Sequence, residues 1–332
     1  MRLETRVPRR GVLGGLAMLL ALTGLAGQAQ ATDFPTKPVR ILTPFPAGSG
    51  PETVLRVLAE KLQRRWGKPV IVENKPGANG FIAIDAFKRG AQDGTDLIQL
   101  DNVHLVAYPH LFKKLPYDLA KDFEPVAPLF RTYFFVAVGA NSPYKTVGDI
   151  ISDAKGHPGD LNYGSWSVGN PVHLGSALLE AMSGTQMQHV VYKETSLLYA
   201  GVASGELRWA LASLATAGPL QRAGKLRFIA VTAPQRHPAF PDLPTVAESK
   251  GPAGYEVTGW TTVAAPKGLP KAVADKINQD IAAALAEPDI KERYAALGYE
   301  PFPTTREQFN AFIASESAKY ADVIKRAKVA LD

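Results

Sequence analysis

Residues 39–67, VRILTPFPAGSGPETVLRVLAEKLQRRWG, decide the fold class of this chain. Five β-rich residues lead into a loop with two prolines, two glycines and a serine, and the loop leads into a longer segment of mixed polarity. Apolar residues recur in that segment every four positions, at Val54, Leu58, Leu62 and Trp66. This spacing predicts an amphipathic helix, in which Pro51 suits the first turn and Gly67 the end. The stretch therefore predicts a strand, a loop and a helix.

The same order returns along most of the chain. A second strand, loop and helix are predicted in PVIVENKPGANGFIAIDAF at residues 69–87, and a further strand at residues 96–100. From residue 133 the alternation begins again, with strand patterns at residues 133–138, 161–164, 189–193, 208–212 and 226–232. Strands that alternate with helices form mainly parallel sheets flanked by helices on both faces. The predicted fold class is therefore α/β, in two successive blocks.

The last third of the chain has a helical pattern. One apolar stripe contains Val273, Ile277, Ile281 and Leu285. Thr304 and Glu307 match a capping box and predict the start of the last helix. We expect these helices to pack on the sheet of the first block. The prediction is a discontinuous domain 1 at residues 32–132 and 253–332, a domain 2 at residues 133–252, and a ligand cleft between them.

The first 31 residues differ in composition from the rest. Four arginines precede an uncharged apolar stretch at residues 11–27, and Ala29-Gln30-Ala31 matches a cleavage signature. A membrane anchor is the alternative, but this short stretch, rich in Gly and Ala, falls below the roughly 20 apolar residues that a spanning helix needs. We expect a signal peptide that is cleaved near Ala31 and exports the protein to the periplasm. Arg9 and Arg10 fit the twin-arginine pattern loosely, so this route and the general secretory route both stay open.

The charge and the cysteine content limit which partners the mature chain can have. Residues 1–31 hold four of the 37 basic and one of the 31 acidic residues, which leaves 33 against 30 and a net charge of +3. Nucleic-acid binding is not expected, because no basic stripe with interleaved aromatic residues occurs. The chain has no cysteine, which excludes disulfides, thiolate nucleophiles, thiolate metal ligands and a lipid-modified cysteine.

Two loops of similar composition precede predicted helices. VRILTPFPAGSGP at residues 39–51 and LNYGSWSVGNP at residues 161–171 each join a strand to a helix through glycine, serine and small residues. A helix N-terminus has unpaired N–H groups and a partial positive charge, so such a loop can hold an anion. One such loop is usually only a turn, but two in successive blocks would face one cleft. Because no nucleotide-binding glycine motif occurs, a carboxylate is the expected anion.

Catalytic and metal sites are not expected. A serine hydrolase favours G-x-S-x-G, and GSWSVG at residues 164–169 lacks that spacing, although Ser165 and Ser167 lie near His173. The six histidines form no H-E-x-x-H pair. We expect His173 near the cleft, as a hydrogen-bond donor. The sequence therefore predicts a binding protein without catalytic residues, metal or cofactor.

Several ordered motifs resemble one family through nearly the whole mature chain. They are PFPAG at residues 44–48, VENKPGANG at 72–80, AQDG at 91–94, KKLPYDLAKDFEPV at 113–126, YGS at 163–165, HL at 173–174, VVYK at 190–193, AGKLRFIAVT at 223–232 and FPDLPTVAE at 240–248. In this order and spacing they are similar to the substrate-binding receptors of tripartite tricarboxylate transporters, often called the Bug family. The resemblance implies a two-domain periplasmic binding protein of the Venus flytrap type.

The resemblance also implies the partners. A receptor of this family closes on a small organic carboxylate and delivers it to the large and small integral membrane subunits of a secondary transporter. We expect a monomer that binds no nucleic acid. A ligand-sensing module for a membrane sensor kinase and a serine hydrolase are the alternative functions.

The family's ligand contacts transfer to this chain by motif. In the family, backbone groups and ordered waters of the first loop and of the PGANG loop hold the ligand carboxylate, and domain 2 sets specificity. The matching residues are Phe45, Ala47, Gly48, Ser49, Ala78, Asn79, Ser165, Trp166, Gly169, Asn170, His173, Tyr192, Lys193 and Ser213. We expect the N–H groups of Gly48 and Ser49, with Asn79, to hold one carboxylate.

The far end of the ligand is expected at Ser165, Asn170 and His173. Trp166 and Phe45 can sandwich a flat ligand, but Trp166 can equally be a packing residue. The sequence leaves open whether the acid is aliphatic or aromatic and whether water mediates its contacts.

Departures from the family pattern also bear on the ligand. Ser49 and Ser213 stand where the family usually has Gly and Asp, and Glu52 where it usually has Asp. Without an Asp at position 213 an amino-acid ligand is disfavoured. The hydroxyl group of Ser49 is expected to shape specificity.

Overall fold

Strands and helices alternate through both halves of the chain. The computed structural model describes Met1 and residues 33–327 and 329–331, so the predicted signal peptide lies, apart from Met1, outside the described residues. The strands of the described part are β1 (Val39–Thr43), β2 (Val70–Asn74), β3 (Asp96–Asp101), β4 (Phe123–Tyr133), β5 (Phe135–Gly139), β6 (Asn162–Ser165), β7 (Gln188–Val191), β8 (Ala210–Ala212), β9 (Leu226–Val231), β10 (Thr258–Pro266) and β11 (Glu300–Pro301).

The helices connect these strands and follow the last of them. They are α1 (Gly50–Trp66), α2 (Phe81–Lys88), α3 (Tyr108–Leu111), α4 (Leu119–Asp122), α5 (Val147–Gly156), α6 (Pro171–Ser183), α7 (Thr195–Ser204), α8 (Leu214–Arg222), α9 (Lys271–Leu285), α10 (Pro288–Ala296) and α11 (Arg306–Ala327). A short 3-10 helix (Ala78–Gly80) precedes α2, and a π-helix (Val103–Ala107) precedes α3. Within the described residues, none of the helices has the length and apolar character needed to cross a bilayer.

The first lobe, formed by β1–β4, β10 and β11 with α1–α4 and α9–α11, contains a six-stranded sheet. Its order is β11-β4-β10-β3-β1-β2. β1 pairs in parallel with β2 and β3, and Ile41 lies opposite Val72 and Leu97. Because β1, β2 and β3 are parallel, their carboxyl ends share one edge of the sheet. The loops that follow β1 and β2 both leave from that edge.

The second lobe, formed by β5–β9 and α5–α8, contains two smaller sheets. One has the order β8-β5-β9 with antiparallel pairing, and the other is the parallel pair β6-β7, in which Ser165 lies opposite Val191. A bridge between Tyr163 and Trp209 connects them. Parallel pairing occurs in β2-β1-β3 and β6-β7, as the alternation predicts, whereas the other strand pairs of the described residues are antiparallel, so the sheets are mixed rather than mainly parallel. The chain leaves the first lobe through β4 and returns through the adjacent β10, so these two strands are antiparallel.

Side chains of the first sheet alternate between two apolar layers. Ile41 of β1 packs with Ile277 of α9 in one layer, and Leu42 packs with Phe309 of α11 in the other. The C-terminal helices thus cover both faces of the first sheet. The domain boundaries at residues 132–133 and 252–253 stay a prediction.

One hydroxyl group links the two chain crossings between the lobes. Thr232 is fully buried, and its Oγ1 accepts a hydrogen bond from Phe134 N at 2.9 Å and donates one to the Val257 carbonyl oxygen at 2.7 Å. Phe134 lies between β4 and β5, and Val257 lies just before β10. The backbone of Thr232 is also hydrogen-bonded to Phe134 and Val257, so this residue fixes the two crossings to each other.

The capping box of the last helix lies one residue later than predicted. Thr305 Oγ1 accepts from Gln308 N at 3.2 Å, and Gln308 Oε1 accepts from Thr305 N at 3.1 Å. The Thr304 carbonyl oxygen instead accepts from Asn278 Nδ2 at 3.1 Å. The assignment to Thr304 and Glu307 is wrong because Thr-x-x-Glu and Thr-x-x-Gln overlap here and both satisfy the motif.

Candidate functional site

The first predicted loop lies at the start of α1, where Ser49 is the N-cap. The backbone N–H groups of this loop are already hydrogen-bonded. The Gly48 N–H donates to Glu52 Oε2 of α1 at 3.0 Å, and the Ser49 N–H donates to the Pro46 carbonyl oxygen at 3.2 Å. Glu52 is 2% exposed and also pairs with Arg56. A ligand carboxylate can therefore reach the Gly48 N–H only by displacing the carboxylate of Glu52.

The hydroxyl group of Ser49 is buried and has no hydrogen-bond partner in the described part of the chain. An N-cap serine usually accepts a hydrogen bond from the first helical turn, and this one does not. A buried polar atom without a partner costs roughly 1–3 kcal/mol. Ser49 Oγ is thus the atom of the first loop that gains most from a ligand or water.

Phe45 and Ala47 complete the first loop. Ala47 is exposed and Phe45 is half-buried. The Phe45 N–H donates to Thr43 Oγ1 at 3.3 Å, and its carbonyl oxygen accepts from Asn74 Nδ2 at 2.9 Å. Because Asn74 ends β2, this bond connects the first loop to the segment that carries the second.

The second predicted loop has a left-handed backbone. Gly77, Ala78, Asn79 and Gly80 have φ values of 112°, 45°, 54° and 84°. Left-handed backbone costs a non-glycine residue roughly 1–2 kcal/mol, and strain of this kind concentrates at functional sites. Ala78 and Asn79 are exposed, and no atom of the described residues accepts a hydrogen bond from their N–H groups. The loop therefore presents two adjacent free donors beyond the carboxyl end of β2.

His104, which is not among the predicted site residues, contacts this loop. Its Nε2 lies 3.1 Å from the Asn79 carbonyl oxygen, and its Nδ1 is hydrogen-bonded to Asp101. Asp101 ends β3 and His104 follows in the π-helix. Ligand-site residues gather at the carboxyl ends of parallel strands, so the end of β3 is the signal that could have identified both residues.

A cavity of about 420 Å³ opens beside the second loop. Its walls are Lys75, Ala78, Phe81, Ile82, Ile84, Asp85, Ala86, Arg89 and Pro116. The volume is in the range of about 300–1,000 Å³ that is usual for ligand pockets. All these walls belong to the first lobe, however, so the cavity is a groove along α2 rather than the predicted cleft between domains.

Asn170 is the N-cap of α6, and its side chain forms hydrogen bonds with the loop that precedes this helix. Its Oδ1 accepts from the His173 N–H at 3.0 Å, and its Nδ2 donates to Ser165 Oγ at 3.1 Å and to the Ser167 carbonyl oxygen. The Gly169 N–H donates to His173 Nδ1 at 3.0 Å. Four predicted site residues, Ser165, Gly169, Asn170 and His173, are thus joined in one hydrogen-bonded unit.

His189, which is not among the predicted site residues, adjoins this unit. Its ring stacks on His173 with centroids 3.9 Å apart, and its Nε2 lies 2.7 Å from Ser165 Oγ. Burial, together with the neighbouring His189, lowers the pKa of His173 to about 3, and burial lowers the pKa of His189 to about 4. Both rings are neutral at pH 7. Since His173 accepts at Nδ1, its hydrogen is on Nε2, which fits the predicted donor.

We expect the stability of the protein to fall as the pH drops below about 6.5, the ordinary pKa of histidine. Unfolded His173 and His189 take up protons near that pH, whereas in the folded protein their pKa values are about 3 and about 4. The unfolded state then binds more protons, so stability that is present at pH 7 is lost progressively toward pH 4. Urea unfolding midpoints at pH 7 and pH 5 measure this loss.

The pH effect is controlled with two variants, one at a buried histidine and one at an exposed histidine. His189→Gln should reduce the difference between the two midpoints, whereas His157→Gln, at a residue whose side chain is 67% exposed, should leave it unchanged. Equal midpoints at pH 7 and pH 5 in the unmodified protein would contradict the assignment of neutral, buried rings.

Ser165 and His189 are as close as a catalytic nucleophile and its base, but the Ser165 hydroxyl does not donate its hydrogen to His189. Ser165 is fully buried, and its Oγ donates to the Ser167 carbonyl oxygen at 2.9 Å. With the hydroxyl hydrogen used there, His189 Nε2 donates to Oγ. A general base needs a free lone pair directed at the nucleophile. The arrangement therefore fits a structural role for Ser165.

Of the other predicted residues of the second lobe, Tyr192 is joined to this unit by its N–H, which donates to the Ser165 carbonyl oxygen at 2.9 Å, and Trp166 follows Ser165 in the chain. The hydroxyl of Tyr192 donates to Glu206 Oε1 at 2.8 Å, and Lys193 is exposed. Ser213 is the N-cap of α8 and accepts from the Thr216 N–H at 3.3 Å. Trp166 is partly buried against two apolar clusters, which favours packing over stacking on a ligand.

Close packing places loops of the two lobes beside each other. A Cβ on Gly169 would lie 2.9 Å from Leu111 Cδ1 in the first lobe. A Cβ on Gly298 would lie 2.7 Å from Leu214 Cβ, next to the cap of α8. The tyrosine that follows Gly298 packs on Gly50 at the start of α1. Among the described residues no hydrogen bond joins a predicted site residue of one lobe to one of the other.

Comparison with known proteins places the chain in a family. A family model described as "Tripartite tricarboxylate transporter family receptor" matches residues 54–329. The UPF0065 protein in the tcbD-tcbE intergenic region of Pseudomonas sp. (strain P51) is 31% identical over 319 residues, which cover 96% of this chain and 94% of that protein.

Solved structures agree with this match. The structure of R. palustris Rpa4515 with adipate has a TM-score of 0.81 and 30% identity, and the match covers 90% of this chain and 99% of that one. MatC (Rpa3494) from Rhodopseudomonas palustris with bound malate has a TM-score of 0.76 and 28% identity, with 88% and 100% covered. The predicted α/β fold of a two-domain periplasmic binding protein is confirmed, and the chain belongs to the receptor family of the tripartite tricarboxylate transporters.

Proposed function

We propose that the protein is a periplasmic receptor that captures a small organic carboxylate and presents it to a tripartite tricarboxylate-type transporter. The observation that carries the proposal is the left-handed loop at residues 77–80, in which the exposed N–H groups of Ala78 and Asn79 have no acceptor among the described residues. Consecutive backbone N–H groups in such turns form concave anion sites without a cationic side chain. Membership of the receptor family supplies the transport context.

A dicarboxylate is the ligand class that we favour. Adipate and malate, named with the two similar structures, both carry two carboxylates. In this chain Ala78 and Asn79 offer donors for one end, and His173 Nε2–H offers one for the other. Ser49 Oγ, buried without a partner in the described residues, is the group to which we assign specificity, because a ligand oxygen would satisfy it.

The cellular context of the proposal rests on the N-terminal segment and on the family. Residues 1–31 have the composition of a signal peptide, so we place the mature chain, cut near Ala31, in the periplasm by either export route. We assign it the large and small integral membrane subunits of the transporter as partners. We propose that it acts as a monomer and without catalysis.

A thermal-shift series with carboxylates tests the proposal. Adipate, malate and benzoate are compared with glucose and zinc chloride, which lack the expected chemistry. A ligand present at 100 times its Kd adds about 2.7 kcal/mol to the free energy of unfolding, so one of the acids should raise the transition temperature clearly. If no carboxylate shifts the transition while glucose or zinc does, the proposed ligand class is wrong.

A further inference from the structure

The peptide unit between Asn79 and Gly80 is fixed on both sides. His104 Nε2 lies 3.1 Å from the Asn79 carbonyl oxygen, and because that oxygen only accepts, Nε2 carries a hydrogen and donates it. On the other side, the Gly80 N–H donates to the Gly77 carbonyl oxygen at 2.9 Å. The orientation of this peptide sets the direction of the free N–H groups of Ala78 and Asn79 that precede it.

His104 is itself held from several directions. Its Nδ1 is hydrogen-bonded to Asp101, and its carbonyl oxygen accepts from the Tyr117 hydroxyl at 2.6 Å. Its ring packs edge-on against Tyr108 with centroids 5.3 Å apart. It lies in the π-helix Val103–Ala107, an uncommon element that occurs frequently at functional sites. The imidazole is therefore a rigid support for whatever it contacts.

Gly80 shows how closely the ring and the loop fit together. Its φ is 84°, and a Cβ at this position would lie 2.2 Å from His104 Nε2. Glycine adopts the left-handed conformation without a steric penalty and leaves room for the imidazole. Any side chain at position 80 would therefore clash with the imidazole of His104.

From these contacts we infer that His104 and Asp101 are positioning residues, which hold residues 77–80 in the left-handed conformation that a ligand carboxylate meets. His104 is 4% exposed, so it acts through the loop and not by touching the ligand. The identity of the ligand rests on the proposed function, whereas the support of the loop does not depend on it.

Amide hydrogen exchange in the unliganded protein tests the support directly. The N–H groups of Gly80 and Phe81 are hydrogen-bonded to the Gly77 and Ala78 carbonyl oxygens within the left-handed turn. In His104→Ala their exchange should accelerate at least tenfold. His104→Gln, whose side-chain amide can still donate to Asn79, should recover part of the protection. Unchanged exchange in His104→Ala overturns the inference.

His110→Ala is the matched control, because the exposed side chain of His110 is hydrogen-bonded to Ser317 Oγ at 2.9 Å and, among the described residues, not to the loop. It should leave exchange at Gly80 and Phe81 unchanged. Asp101→Leu should follow His104→Ala, whereas Asp101→Asn, whose side-chain amide can still form a hydrogen bond with Nδ1, should stay closer to the unmodified protein. Identical exchange in all these variants removes Asp101 and His104 from the role proposed.

Calorimetric titration with adipate and malate tests the consequence for binding. In His104→Ala the Kd of the acid that binds should rise about tenfold, equivalent to about 1.4 kcal/mol, with partial recovery in His104→Gln and no change in His110→Ala. Faster exchange with an unchanged Kd overturns the link between this loop and the ligand. If the unmodified protein binds no carboxylate, the proposed function fails, but the exchange experiment still decides whether His104 supports the loop.

Discussion

Replacing Ala78 with valine is expected to abolish the stabilisation of the protein by carboxylates while leaving its unliganded stability nearly unchanged. Ala78 has a φ of 45°, where a residue branched at Cβ is a severe outlier. The loop must then adopt another conformation, in which the N–H groups of Ala78 and Asn79 no longer have their present orientation. Because Ala78 is exposed, no core contact is lost.

The measurement is the thermal shift with adipate or malate, and Ala78→Gly is the control because glycine tolerates positive φ. At 100 times the Kd of the unmodified protein, a ligand contributes about 2.7 kcal/mol, and a hundredfold loss of affinity reduces this to about 0.4 kcal/mol. Ala78→Gly should keep the full response. An undiminished response in Ala78→Val would move the carboxylate away from the second loop.

Trp260→Ala is expected to have the largest effect on stability, a loss of about 3–5 kcal/mol as is typical for a buried aromatic side chain. Trp260 in β10 is 1% exposed and packs edge-on against Phe309 and Phe312 of α11, with centroids 5.6 and 5.4 Å apart. Its Nε1 also donates to Glu316 Oε2 at 3.4 Å. Truncation therefore opens a cavity and leaves a buried carboxylate without this donor.

Urea unfolding of the unliganded protein measures this loss, with Trp260→Phe as the control. Phenylalanine keeps most of the ring contacts and removes the donor to Glu316, so it should lose clearly less stability than alanine. A loss below about 0.5 kcal/mol for Trp260→Ala, within the range of ordinary surface changes, would contradict the packing of α11 on β10.

Elements with strong local patterns could be predicted from the sequence. The strand, loop and helix at residues 39–67 carry their own signals, and Gly67 ends α1 with a φ of 63° as a helix-terminating glycine does. The first turn of α6 is similarly marked by Asn170 and Pro171. These features depend on residues a few positions apart, which is the distance over which a pattern can be recognised.

The strands β4 and β10 were missed, and β4 shows why. Its sequence contains Pro125 and Pro128, and proline is disfavoured in a strand with neighbours on both sides. In the structure these prolines lie opposite Ala264 and Thr262, where the register of β10 shifts twice. The irregularities accommodate the missing N–H groups, and only the three-dimensional pairing reveals them.

The site was predicted as a set of loops but not in its hydrogen bonding. Gly48, Ser49, Ala78 and Asn79 lie at the carboxyl ends of β1 and β2, which follows from the α/β pattern. That His104 contacts Asn79, 25 residues away, depends on the packing of β3 beside β1. Likewise His189 reaches Ser165 because β6 and β7 pair in one particular register.

The hydrogen bond between the Gly48 N–H and Glu52 disfavours the binding of simple inorganic anions at the first loop. The loop already holds a carboxylate of its own, buried and paired with Arg56. Chloride or sulfate, attached at this loop alone, would have to expel that group without gaining other contacts. The dicarboxylate that we propose, held at both ends, would gain contacts in each lobe that offset the cost. We therefore expect inorganic anions to compete poorly for the first loop, even in media rich in them.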